Sequence, residues 1–117
     1  MSNTNTTTET GRRKINLTAA KYDDAVDRLL KLQITRAREE TRAARFTLFA
    51  SAAASDAERV TLTGYAIGAR AAAAETAAEL ATAARELLAI VGEMDACGLP
   101  ADPEILCMAY HITRANH

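Results

Sequence analysis

Apolar positions recur at three- and four-residue steps along most of the chain, which is the period of an amphipathic α-helix. Tyr22, Val26, Leu29, Leu30 and Gln33 keep this step from Ala19 onward. The pattern predicts a helix there, with Thr18 as its N-cap and Asp23 and Asp24 near its positive start. Residues 35–45 (TRAREETRAAR) are polar nearly all round, and their core-sized positions are Ala37, Ala43 and Ala44. Arg36 and Glu40, four apart, support helix in this stretch without a core. Phe46, Leu48 and Phe49 then restore apolar character.

Ser55-Asp56-Ala57-Glu58 reads as a capping box, in which the serine hydroxyl and the glutamate carboxylate satisfy free amides at a helix start. A break or kink is therefore expected near residues 54–56. In the next helix Ala73, Ala77, Leu80, Ala84, Leu87, Val91 and Met94 follow strict four-three spacing, a coiled-coil-like packing seam. A second stripe runs through Val60, Ile67, Ala74, Ala81 and Leu88, flanked by Ala71 and Ala78. Glu75, Glu79, Thr82, Glu86 and Glu93 form a solvated line opposite the seam. A helix apolar on two sides is expected to touch two neighbours. Gly64 and Gly68 mark either close packing or a bend. Gly98, followed by Pro100, reads as a C′ residue. Asp102-Pro103-Glu104 supplies an N-cap, an N1 proline and an acidic first turn. A short last helix then runs to about Ala115, with Ile105, Leu106, Met108, Ala109 and Ile112 as its apolar set.

The N-terminus lacks this period. Residues 1–11 (MSNTNTTTETG) are polar and read as a disordered tail. In residues 12–18 (RRKINLT) Ile15 and Leu17 alternate with Lys14, Asn16 and Thr18, which fits a short strand; a lead-in to the next helix fits as well.

Composition changes this picture in one respect. Hydrophobic residues make up 49% of the 117, but many are alanine, and the aromatics are two Phe and three Tyr. Alanine buries little area, so self-association is the expected way to cover the extra apolar stripes. Charge divides the chain: residues 12–45 hold ten Lys/Arg against five Asp/Glu, and residues 46–117 hold four against nine. The first half suits a polyanion; equally, the two halves attract each other in a helical hairpin. Residues 1–11 lack the apolar segment of a signal peptide, and the uncharged stretches fall short of the roughly 20 residues that span a bilayer. A cytoplasmic protein of bacterial or phage type, with no membrane partner, is the expectation.

The segment RRKINLT resembles the start of ribbon-helix-helix DNA-binding proteins, and the likeness extends over residues 12–50. It implies a strand that pairs with its copy in a dimer and enters the major groove. Ile15 and Leu17 would face the dimer core, and Lys14, Asn16 and Thr18 the bases. Residues 19–32 would form the first helix. Ile34-Thr35-Arg36-Ala37 resembles the family's second-helix start, where amides take a phosphate. Glu39 and Glu40 depart from the pattern, standing where large apolar residues are usual, and Gln33 stands where glycine is common. Beside this, Arg36, Arg38, Arg42 and Arg45 form either a phosphate-binding ridge or a face ion-paired with Glu39 and Glu40. No aromatic interleaving is evident among them, which argues against single-strand stacking.

Cys97, Cys107, His111 and His117 match no standard zinc spacing, so the cysteines read as buried small hydrophobes and no metal or cofactor is expected. Tyr22, Tyr65 and Tyr110 read as core or boundary aromatics. There is no phosphate loop and no Ser-His-Asp set, so no catalytic residue is assigned. The sequence thus predicts an all-α fold: a tail over 1–11 and a single helical domain over 12–117. That domain is a long antiparallel helical hairpin plus a short C-terminal helix, assembled as an oligomeric bundle. The expected function is non-enzymatic, an interaction or regulatory protein acting through a homo-oligomer or another protein. The alternative is a small dimeric regulator of duplex DNA using Arg12, Arg13, Lys14, Asn16, Thr18, Arg36, Arg38 and Arg42.

Overall fold

A computed structural model describes residues 2–115, with side chains from Glu9 onward. Three α-helices account for nearly all of it: α1 (Ser2–Ser51), α2 (Asp56–Ala96) and α3 (Pro103–Ala115). No strand occurs among the described residues. Among the described residues no helix is long and apolar enough to cross a membrane.

Helix α1 runs through residues 12–18, so the helical lead-in is the reading the fold adopts there and the strand is not formed. It also takes in residues 2–11, which the sequence assigns to a tail. Thr18 is therefore no N-cap. It is buried inside the helix, and its hydroxyl donates to the Lys14 carbonyl at 2.8 Å, one turn back. A threonine within a helix satisfies its hydroxyl in this way instead of capping.

The helix ends follow their local chemistry. The Glu58 amide donates to Ser55 Oγ at 3.2 Å, and Glu58 Oε2 accepts from the Ala54 amide at 3.2 Å. This is the capping-box exchange, with the carboxylate reaching one residue further back. It separates α1 from α2 at residues 52–55. Gly98 has φ +73° and closes α2. The Leu99 amide donates to Met94 O at 2.8 Å and the Gly98 amide to Asp95 O at 3.1 Å, the paired bonds of a Schellman motif. Asp102 Oδ1 accepts from the Glu104 amide at 2.9 Å and caps α3 ahead of Pro103.

The chain packs as two compact units, Met1–Leu29 with Ala81–His117, and Leu30–Leu80. The first gathers the early part of α1, the later part of α2, and α3. Leu29, Ala81, Ala83, Ala84, Leu87, Met94, Ala109 and Ile112 form its core. Here α2 is buried over more than one stripe, as a helix with two neighbours should be. Lys21 and Glu93 approach to 3.8 Å and Arg28 and Glu86 to 2.8 Å. The Tyr22 hydroxyl accepts from the Asp102 amide at 3.1 Å.

The second unit is an antiparallel pair: the end of α1, the turn, and the start of α2. Its core is nearly all alanine: Ala43, Ala50, Ala66, Ala69 and Ala73, with Leu80 and Thr76. Small side chains let two helices come toward the close end of their packing range, about 8 Å. Polar bonds flank that seam. Thr76 Oγ1 meets both Glu39 oxygens, and Arg70 Nη2 donates to Thr47 Oγ1 at 2.7 Å.

Candidate interaction surface

The seam residues lie inside the chain. Ala73, Leu80, Ala84, Leu87 and Met94 are buried, and Ala77 and Val91 are half-buried. The second stripe divides by unit. Ala81 is buried and Leu88 half-buried in the first, whereas Val60 and Ile67 in the second are 72% and 59% exposed, beside exposed Ala71, Ala74 and Ala78. The glutamates are exposed as expected, but Glu86 and Glu93 stand at the edge of the helix contact and pair with α1. They are not opposite it.

Arg12, Arg13, Lys14 and Asn16 are exposed on α1, while Thr18 is buried. Arg36 is spent on Glu40 at 3.0 Å. Glu39 turns instead to Thr76, so the expected ion-paired face is only half formed. Among the described residues no carboxylate lies within ion-pair distance of Arg38, Arg42 or Arg45.

These three arginines share an open shelf on α1 with Ile34, Thr41 and Phe49. Three- and four-residue steps from Ile34 to Phe49 put them on the side turned away from Ala43 and Ala50. Aromatics do stand among them, contrary to the sequence reading. The Arg42 guanidinium carbon lies 5.6 Å from the Phe46 ring centre, a cation–π contact at the four-residue spacing. Phe46 in turn packs on Tyr65 of α2, with centroids 5.3 Å apart and planes tilted by 48°. Three of the five aromatic residues of the chain thus gather on one unit. Phe49 and Tyr65 are each 56% exposed. The spacing of Arg42 and Phe46 carried the first contact in the sequence. The second needed the register of α1 on α2.

Beside the aromatic pair runs a groove between α1 and α2, lined by Glu39, Arg42, Gly64, Tyr65, Gly68 and Ala72. A Cβ built on Gly64 or Gly68 would meet nothing within 4 Å. The glycines therefore do not serve close packing within the chain; they leave a bare strip of backbone beside large side chains.

Among the described residues no three His, Cys, Asp or Glu side chains gather to hold a metal ion. Cys97 is half-buried and Cys107 exposed, so neither is the buried small hydrophobe expected. His117 lies outside the described residues. Of the tyrosines, Tyr22 is at the boundary, and Tyr65 and Tyr110 are exposed.

No known protein family, curated protein or solved structure matches the chain.

Proposed function

We propose that the chain is a non-enzymatic helical interaction protein that binds a protein partner through the second unit. One observation carries this reading: half-buried Phe46 and exposed Phe49 and Tyr65 are clustered among arginines that have no carboxylate of their own. Aromatic residues and arginine are the types enriched at protein interfaces, where they supply most of the binding energy. Exposed Leu48, Val60 and Ile67 extend the apolar area of the same unit. Leu48 lines a different groove, with Thr47 and Arg70, so this is a separate apolar area; exposed apolar surface on a small chain supports a contact role.

A photo-reactive benzoylphenylalanine at Phe49 tests this in cells that make the protein. The expected result is a protein adduct of defined mass, absent when the same group replaces Glu104 on α3. Illumination that yields no adduct at Phe49 above that control removes the reading.

Duplex DNA is the second reading, favoured by the unpaired charges of Arg38, Arg42 and Arg45. It must do without the paired strand, since residues 12–18 are helical. Binding by that ridge alone would read no sequence and would weaken steeply with salt. Failure to shift any duplex at low salt discards it.

A further inference from the structure

We infer that the partner covering the aromatic and arginine face is a second copy of this chain, laid α1 against α2 in a four-helix arrangement. The inference rests on the reading above and names its partner.

The face carries both halves of a charge match. On α1, Arg38, Arg42, Phe46 and Phe49 succeed one another at four-, four- and three-residue steps along one side. On α2, Glu75 follows Gly68 by seven residues and Glu79 follows Ala72 by seven, two helical turns in each case. Both glutamates therefore stand on the side that presents Gly68 and Ala72 to the groove. Both are exposed, and among the described residues neither has a cation within ion-pair distance. The bond from Thr76 to Glu39 fixes the level: Glu79 and Glu75 on α2 alternate in height with Arg38 and Arg42 on α1.

A two-fold axis parallel to the two helices puts α1 of one copy on α2 of the other at the same height. Arg38 and Arg42 then meet the partner's Glu75 and Glu79. Nearer the turn, Phe46 and Phe49 meet the partner's Gly64 and Gly68, where open backbone receives large rings. Every pair is made twice, because a two-fold contact is self-complementary. Polar and apolar needs of the face are thus met at one height by the same chain. The same glutamates would repel a phosphate backbone lying along this face.

Light scattering on the full chain, with helicity followed by circular dichroism, tests the pairing. Wild type is expected at twice the chain mass. Chains carrying Arg38→Glu with Arg42→Glu, or Glu75→Arg with Glu79→Arg, bring like charges together on self-association. Their dimer dissociation constants should rise at least about a hundredfold, giving the mass of one chain. Mixing the two swapped chains puts opposite charges together again on both sides and should restore the doubled mass. If either double swap loses helicity, the single Arg42→Glu and Glu79→Arg chains replace them. Wild type at the mass of one chain, a swapped chain that stays dimeric, or a mixture that stays monomeric overturns the inference. Monomeric wild type with a Phe49 adduct to a different protein overturns the second copy and leaves the interaction reading standing. Absence of any protein adduct, with a duplex shifted by the ridge, removes both.

Discussion

The Thr76 hydroxyl points across the second unit at the Glu39 carboxylate, 3.1 and 2.9 Å from its two oxygens. Thr76 is buried, and its bond ties the two helices across a seam made mostly of alanine methyls. Threonine in a helix more often bonds its own carbonyl one turn back, as Thr18 does. Thr76→Val keeps the shape and removes the donor. It should cost about 1 kcal/mol, the net worth of one hydrogen bond, in urea unfolding followed by circular dichroism. No change in midpoint would mean that the bond contributes nothing to stability.

Substitutions to glutamate should divide sharply along α2. Ala84 has no exposed surface, so Ala84→Glu buries a charge without a partner and should cost more than about 3 kcal/mol, enough to abolish the thermal transition. Ala74 is exposed, and Ala74→Glu should stay within about 0.5 kcal/mol of wild type. Equal losses in the two melts would contradict the burial pattern.

Gly98 is the one described residue with left-handed backbone. An added Cβ would meet no neighbour there, so the loss in Gly98→Ala comes from backbone strain alone, about 1 kcal/mol. Gly64→Ala, on ordinary helical backbone, should raise the stability of the free chain by a few tenths of a kcal/mol to about 1 kcal/mol. Denaturant midpoints that move the same way for both would sink this distinction.

The ion pair of Arg28 with Glu86 is short, but each side chain is half or more exposed to water. Screening leaves such pairs about 0.5 kcal/mol or less. Glu86→Gln should shift the unfolding midpoint by no more than that, and the shift should vanish in high salt. A loss above 1.4 kcal/mol, roughly tenfold in the equilibrium constant, would show that the pair is better shielded than its exposure implies.

Local signals were legible in the sequence because their causes lie within four residues. The capping box at Ser55, the C′ glycine at Gly98 and the N1 proline at Pro103 each took the predicted form. Burial also follows helical period along the stretch from Ala73 to Met94, where five of the seven four-three positions are buried within the chain. What escaped was long-range or ambiguous. Ile15 and Leu17 alternate like a strand, yet α1 runs through them, and a two-residue alternation is too short to decide against a helix. The pairing of Phe46 with Tyr65, and of Glu39 with Thr76, depends on which residues the turn at 52–55 brings level. Neither contact lies at equal distances from that turn, so the register depends on how α1 and α2 pack and not on the turn alone.

The methyl seam of the second unit bears on temperature. Heat capacity rises on unfolding by about 0.45 cal/K/mol for each Å² of apolar surface newly wetted. Ala43, Ala50, Ala66, Ala69 and Ala73 each hide one methyl, so that increment is small for this unit, and so is the enthalpy absorbed. Its stability curve is correspondingly low and flat. Calorimetry should therefore show little loss on cooling and a gradual loosening on warming instead of a sharp melt.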